Sequence, residues 1–206
     1  MTVALAADGV VADACAALAA DGITVVPDFL PAPVSLALAE EARRRDAVGD
    51  FSAAGIGRGA SRLERSAIRG DRTLWLDTQV STPAERALTL ALERLRIALN
   101  EATFIGLFSF EGHYALYPPG ALYRRHLDRF RDDDARLLSC VLYLNETWTA
   151  ADGGALRLYS PGEEPRDVLP VGGTLVCFLA DRHEHEVLPA RRERLAIAGW
   201  FRRREP

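Results

Sequence analysis

Residues 182–202, RHEHEVLPARRERLAIAGWFR, contain the clearest indication of the fold class. Its second half, from Leu195 to Phe201, is a continuous apolar run typical of a strand that is buried on both faces. Similar short runs, separated by Gly, Pro and Asp turns, fill the chain after Asn100. About eight short strands at this spacing predict a sandwich or barrel, and a jelly roll fits that number. The predicted strands are 104–116, 122–128, 136–144, 155–159, 167–169, 174–178, 185–188 and 195–202.

The first half of the chain is predicted to be mainly helical. An Ala- and Leu-rich helix over 10–20 precedes a short β-branched run over 23–26, and Pro31 opens a second helix. Thr82-Pro83-Ala84-Glu85 has the residues of a capped helix start, and that helix should run to about Asn100. Glycines and arginines between Gly49 and Gly70 predict a mobile, ligand-facing loop. The fold class is therefore α+β, mainly β: a double-stranded β-helix (jelly-roll) core buttressed by N-terminal helices.

Length and composition predict one domain and exclude some function classes. The chain has 206 residues and a net charge of −4, so residues 1–206 are expected to form a single domain. Residues 1–65 would form the helical buttress and the start of the mobile loop, and residues 66–206 the core. A negative net charge argues against nucleic-acid coating and against binding to a membrane surface.

Cysteine usage and the N-terminal sequence predict a cytoplasmic protein. The three cysteines are widely spaced and odd in number, which suits reduced thiols. The Ala-rich N-terminus lacks the basic region of a signal peptide, and no apolar run is long enough to span a membrane. All basic residues are Arg, which we interpret as the base composition of a bacterial genome.

A metal-binding pattern stands at His126-Leu127-Asp128. On a strand, residues i and i+2 lie on the same face, so one strand end could supply an imidazole and a carboxylate to one metal ion. The segment 182–187 holds two more histidines, either of which could be the third ligand. Two His and one carboxylate form the facial triad of non-haem Fe(II) oxygenases, which keeps coordination positions open. Taken alone, the pattern also fits a hydrogen-bonding pair at the surface.

An arginine downstream helps to choose between these histidines. Arg194 follows His185 by nine residues, and Arg192 follows His183 by nine, so spacing does not decide. Arg194 adjoins the apolar strand, where an arginine is costly to bury unless it meets an anion, and its planar fork suits a carboxylate. We therefore favour His185 with Arg194. His183 is then either solvated or packed behind a ligand, and His113 is structural or lines a pocket.

These residues resemble a known family, the iron- and 2-oxoglutarate-dependent prolyl hydroxylases, in the branch of the animal oxygen-sensing enzymes and their bacterial relatives. The similarity covers the chain from about Ile68 onward. Several landmarks in order at consistent spacing are much more specific than any one of them. The landmarks are IRGDRTLWLD (68–77), YPPGALYRRHLD (117–128), CVLYLN (140–145), DGGALRLY (152–159) and HEVLPARRERLAIAGWF (185–201).

The resemblance implies a role for each site residue. It implies that His126, Asp128 and His185 bind Fe(II), and that Arg194 pairs with the distal carboxylate of 2-oxoglutarate. The remaining residues implied to bind cosubstrate or substrate form two groups. The cosubstrate group contains Tyr143 and Tyr117, and Tyr143 would hydrogen-bond the same carboxylate. The substrate group contains Tyr123, Arg136, Arg69, Asp71 and Trp200.

The activity implied is hydroxylation of a prolyl residue in a protein or peptide, with release of succinate and CO₂. Its cofactors would be Fe(II), 2-oxoglutarate and O₂, with ascorbate as a candidate reductant. Elongation factor Tu is a candidate substrate by analogy with bacterial relatives. Two alternatives stay open: a 2-oxoglutarate oxygenase acting on a small molecule or alkylated nucleic acid, and a non-catalytic jelly-roll binding module. A basic surface with aromatic side chains that stack on bases would indicate a nucleic-acid substrate. The negative net charge argues against such a substrate.

Overall fold

The computed structural model describes residues 8–55, 67–77, 81–129 and 134–204. It contains three α-helices and eleven β-strands in these ranges, together with a short 3₁₀ helix at Ala150–Asp152. The helices are α1 (Asp8–Asp21), α2 (Ala32–Ala47) and α3 (Pro83–Thr103). The strands are β1 (Ile23–Val26), β2 (Ser52–Ala53), β3 (Arg72–Trp75), β4 (Ser109–Tyr117), β5 (Tyr123–His126), β6 (Arg136–Tyr143), β7 (Leu156–Tyr159), β8 (Arg166–Val168), β9 (Leu175–Leu179), β10 (Glu184–Val187) and β11 (Arg194–Arg202).

The strands form two antiparallel sheets. The larger sheet has the order β1-β9-β6-β11-β4-β3-β2, and the smaller has the order β5-β10-β7-β8. Strands β4 to β11 correspond to the eight strands expected from the sequence, and they divide four and four between the sheets. This division is that of a jelly roll. The predicted α+β, mainly β fold class with N-terminal helices is confirmed.

Apolar side chains fill both faces of the larger sheet. On one face Tyr143, Phe178 and Ala196 pack against Leu156 and Leu158 of the smaller sheet. On the other face the helices pack against the sheet. The apolar cluster between the helices and the sheet includes Leu38, Leu88, Leu95, Leu142 and Ile197. Because β11 is buried on both faces of the sheet, its sequence is a continuous run of apolar residues.

The start of α3 has the capping box expected from the sequence. The Glu85 amide donates to Thr82 Oγ1 at 3.2 Å, and the Thr82 amide donates to Glu85 Oε2 at 2.7 Å. Glu85 also accepts a hydrogen bond from the Tyr114 hydroxyl of β4 at 2.9 Å, so the cap is tied to the larger sheet.

We expect Thr82→Ala to lower the free energy of unfolding by about 1 kcal/mol, because the Glu85 amide then loses its capping acceptor. Urea denaturation of the metal-free protein measures this change. Thr89→Ala is the matched control, because the Thr89 hydroxyl donates to a carbonyl on the exposed face of α3. An equal loss in both variants would contradict the capping role.

Several regions differ from the sequence-based expectation: β3 is absent from the predicted strands, and β5 ends at His126 rather than at Asp128. The predicted strand from Phe104 begins only at Ser109, because α3 continues to Thr103 and Phe104 then adopts a left-handed conformation with φ 53°. The Asn100 side chain holds this connection through two 2.8 Å hydrogen bonds to the backbone of Leu107. The expected loop over 49–70 contains the short strand β2, and its residues 56–66 lie outside the described residues.

None of the helices in the described ranges is both long and apolar enough to cross a membrane.

The three cysteines are buried free thiols. Cys140 and Cys177 face each other on β6 and β9 with their sulfur atoms 3.2 Å apart.

Candidate active site

Strands β5 and β10 bring three potential metal ligands together. His126 is the last residue of β5 and lies directly opposite His185 of β10 in the ladder. Asp128 follows β5 by two residues and points back toward both rings. One ligand atom from each residue lies within 4.8 Å of the others, and both imidazole Nε2 atoms are 3.6 Å from an Asp128 oxygen. The sequence-predicted His-Asp-His triad is therefore present as one cluster.

The protonation states of the triad suit a divalent cation. Burial lowers the pKa of His185 to about 4, against the opposing charge of Asp128. Burial also opposes ionisation of Asp128, but the two imidazoles and the Ser139 hydroxyl outweigh it and hold the pKa of that carboxyl well below its usual range. At neutral pH the cluster therefore offers a neutral His185 imidazole and a carboxylate, the forms that bind metal.

The geometry also fits a metal ion. His126 Nδ1 lies 2.7 Å from the Arg124 carbonyl oxygen, and His185 Nδ1 lies 3.4 Å from that of His183. Each Nδ1 therefore carries the proton, and each Nε2 lone pair is left for a ligand bond. Both Nε2 atoms lie 3.6 Å from an Asp128 oxygen, so the cluster offers the two imidazoles and one carboxylate of a facial triad within reach of one another. The residues present fit Fe(II).

Arg194 is buried in the wall of the cavity that adjoins the triad. It is only 1% exposed, and its Nε donates to the Gly154 carbonyl oxygen at 2.9 Å. Its guanidinium carbon lies 5.1 Å from the ring centroid of Tyr117 and 5.2 Å from that of Tyr143. Strand register explains this grouping, because Arg194 is paired with Tyr117 on β4, and Ala196 is paired with Tyr143 on β6.

Two buried polar atoms of this group have no hydrogen-bond partner among the described residues: Arg194 Nη2 and the Tyr143 hydroxyl. Burial raises the pKa of Tyr143 to about 12, with the Arg194 charge opposing, so the hydroxyl stays protonated and can donate. Unpaired buried donors are costly, and a guanidinium is the usual partner of a carboxylate. The two donors therefore fit the distal carboxylate of 2-oxoglutarate.

Arg69, Asp71 and Tyr123 lie together beside His126 of the triad. The Tyr123 ring stacks on His126 with the ring centroids 3.7 Å apart, and the Arg69 guanidinium carbon is 4.7 Å from the Tyr123 centroid. Asp71 accepts two hydrogen bonds from Arg69 at 2.7 and 2.9 Å. Because the Asp71 side chain is fully buried, it orients Arg69 rather than facing the cavity.

Trp200 forms another part of the cavity wall, and Arg136 packs on its ring. The Arg136 guanidinium carbon lies 3.5 Å from the Trp200 ring centroid, which is a cation–π contact. Arg136 Nε also donates to Glu111 at 3.0 Å. The neighbouring Trp75 ring is half exposed and lies 6.4 Å from Trp200. Of the substrate residues implied by the resemblance, Arg69, Tyr123 and Trp200 line the cavity, whereas Asp71 and Arg136 contact lining residues.

Comparisons with known proteins agree with this geometry. The family model of the 2OG-Fe(II) oxygenase superfamily matches residues 112–202. A crystal structure of a Pseudomonas putida prolyl-4-hydroxylase is 49% identical, with a TM-score of 0.86 and coverage of 95% of this chain and 100% of that chain. The chain belongs to the iron(II)- and 2-oxoglutarate-dependent prolyl hydroxylase family.

Two further relatives come from Trichoplax adhaerens and Homo sapiens. A Trichoplax adhaerens prolyl hydroxylase, solved with a hypoxia inducible factor oxygen degradation domain peptide fragment, is 26% identical with a TM-score of 0.84, covering 94% of this chain and 89% of that chain. Human Egl nine homolog 1 is 30% identical over 189 residues, which is 87% of this chain and 43% of the human protein. The chain thus spans about half the length of the curated Egl nine relatives it matches.

The structure distinguishes the two histidines that spacing left open. His183 lies outside the triad and is fully buried, so its interpretation as a solvated residue is wrong. Its backbone carbonyl faces His185 Nδ1, which matches the other alternative, a residue behind the ligand. Arg192 is largely exposed and pairs with Asp152. His113 lines the cavity, as predicted.

Sequence reasoning missed two residues that support the site. Ser139 donates a 2.7 Å hydrogen bond to Asp128 Oδ2. A hydroxyl in the middle of the apolar strand β6 was the available signal, since buried hydroxyls need a partner. The Gly154 carbonyl that accepts from Arg194 left no comparable signal, because a backbone acceptor has no side chain to recognise.

Proposed function

We propose that this chain catalyses the Fe(II)- and 2-oxoglutarate-dependent hydroxylation of a prolyl residue in a protein substrate. The observation that carries the proposal is the pair of buried donors without a partner among the described residues, Arg194 Nη2 and the neighbouring Tyr143 hydroxyl, since Arg194 lines the cavity that also contains the His-Asp-His cluster. A binding module with a structural metal has no need of such donors. Membership in the prolyl hydroxylase family supports the reaction type.

The protein's own residues would ligate, orient and exclude water. His126, Asp128 and His185 would hold Fe(II) by three ligand atoms, which leaves positions open for 2-oxoglutarate and O₂. Bound iron and cosubstrate would supply the oxidative decarboxylation and the hydroxylating oxygen. Arg194 and Tyr143 would fix the far carboxylate, and Tyr117 would form the apolar wall beside it. Ser139 would keep Asp128 oriented toward the metal.

The prolyl segment would bind at the side of the cavity formed by Tyr123, Arg69, Arg136 and Trp200. Apolar ring faces suit the pyrrolidine ring, and the guanidinium groups suit backbone carbonyls or acidic side chains near it. A hypoxia inducible factor peptide fragment is bound to the Trichoplax relative, which supports a protein substrate. Elongation factor Tu is our candidate, and the reduced thiols suit action in the cytoplasm.

The test incubates the enzyme with Fe(II), 2-oxoglutarate, ascorbate and purified elongation factor Tu, and maps the products by mass spectrometry. We expect one added oxygen atom on a prolyl residue, dependent on 2-oxoglutarate and absent with Asp128→Ala. Turnover on a free small molecule or an alkylated oligonucleotide, without oxygen addition to any prolyl protein or peptide, would overturn the proposal. Addition to another protein's proline would overturn the choice of elongation factor Tu alone.

A further inference from the structure

His113 is a buried imidazole to which the mechanism above gives no task. It lies on β4 in the middle of the larger sheet, paired with Trp75 of β3 on one side and Ala198 of β11 on the other. Its side chain is buried but lines the active-site cavity. Its ring packs between Trp75 and Trp200, with centroid separations of 4.9 and 5.5 Å.

One ring nitrogen of His113 meets Arg69. His113 Nε2 lies 3.3 Å from Arg69 Nη2. A guanidinium can only donate, so Nε2 must be the unprotonated acceptor and the proton must lie on Nδ1. Burial, together with the positive charges of Arg69 and Arg136, lowers the pKa of His113 to about 3 against the opposing Asp128, which agrees with a neutral ring.

Arg69 spans the cavity between the two sheets. Its bidentate partner Asp71 directly precedes β3 of the larger sheet and holds one edge of the guanidinium. The stacking of Arg69 on Tyr123 joins it to β5 of the smaller sheet. The hydrogen bond to His113 joins it to β4 of the larger sheet. His113 therefore adds to the two Asp71 hydrogen bonds a contact that draws the guanidinium toward β4 of the larger sheet.

We propose that His113 is a positioning residue that holds the Arg69 guanidinium across the cavity through its unprotonated Nε2 and so sets the affinity for the prolyl segment of the substrate. The inference rests on the proposed function. Since His113 is neither a member of the triad nor a neighbour of Arg194, it leaves the binding of Fe(II) and 2-oxoglutarate to other residues.

Two substitutions separate the acceptor from the bulk of the ring. In His113→Gln the amide oxygen can stand near the position of Nε2 and accept from Arg69, whereas His113→Leu fills similar space without an acceptor. For a peptide from the prolyl loop of elongation factor Tu, we expect KM to rise about tenfold in His113→Leu and to stay within about twofold in His113→Gln. We expect kcat and the KM for 2-oxoglutarate to change little in either variant.

A double-mutant cycle with Arg69→Ala tests whether His113 acts through Arg69. We expect Arg69→Ala to raise the peptide KM and His113→Leu to add nothing further in that background. Equal effects of His113→Leu with and without Arg69 would overturn the proposal. Absence of turnover by the wild-type enzyme on any prolyl substrate contradicts the proposed function, whereas wild-type turnover with an unchanged KM in His113→Leu contradicts only the role of His113.

Nitrogen-15 correlation spectra of the full metal-free chain give a readout that does not depend on substrate. We expect the His113 ring at neutral pH to show an unprotonated Nε2 and a protonated Nδ1, and the Nε2 resonance to shift in Arg69→Ala. A protonated Nε2 in the wild-type protein, or a resonance that does not respond to Arg69, would contradict the positioning contact.

Discussion

Asp128→Ala is expected to abolish ferrous binding at the His-Asp-His cluster and, with it, all turnover of 2-oxoglutarate. The substitution removes the anionic ligand and leaves only the two imidazoles. Since loss of a partner behind a ligand already costs about 10- to 100-fold in metal affinity, loss of the ligand itself should cost more than about 100-fold. Anaerobic titration with Fe(II) and 2-oxoglutarate measures this, because the ternary complex has a weak visible charge-transfer band.

Two control variants make this test specific. Ser139→Ala removes the hydrogen bond to Asp128 Oδ2 and should weaken ferrous binding by about 10- to 100-fold without abolishing it. Asp167→Ala removes a carboxylate of the smaller sheet that pairs with Arg157, and the band should be unchanged. A charge-transfer band of wild-type strength and affinity in Asp128→Ala would show that the cluster is not the iron site.

Arg194→Leu is expected to raise the KM for 2-oxoglutarate by at least about 100-fold, while Fe(II) alone still binds. Removing one member of a buried ion pair costs about 3–5 kcal/mol, and each 1.4 kcal/mol is a factor of ten. In the ligand-free chain the arginine already has an unpartnered Nη2 among the described residues. The substitution should therefore leave the ligand-free protein equally stable or more stable. Cosubstrate titration and thermal unfolding measure the two effects.

Arg192→Leu is the matched control for this prediction. Arg192 stands in the same spacing to His183 as Arg194 does to His185, but its side chain is 43% exposed and pairs with Asp152. We expect its KM for 2-oxoglutarate to equal that of the wild type. A similar rise in both variants would indicate a general electrostatic effect, and an unchanged KM in Arg194→Leu would contradict the carboxylate site.

Several features of the site were predictable from sequence because they depend on local periodicity or on the cost of burying charge. The i, i+2 spacing of His126 and Asp128 predicted a shared face, and the two side chains do converge. The position of Arg194 beside an apolar strand predicted a buried guanidinium that needs an anion, and it is 1% exposed. Thr82 and Glu85 predicted the helix start, because a capping box involves only neighbouring residues.

The jelly-roll class, the approximate strands, the His-x-Asp pattern and the burial of Arg194 could be inferred from the sequence, since each follows from short-range chemistry. The sequence favoured His185 through Arg194, but the fold was needed to confirm it, because His183 and His185 lie two residues apart and differ in what they pack against. Only the tertiary structure decided that β3 joins the larger sheet and that Arg69 meets His113, a residue 44 positions away. Such contacts depend on how distant strands pair. Local sequence patterns do not specify the register of that pairing.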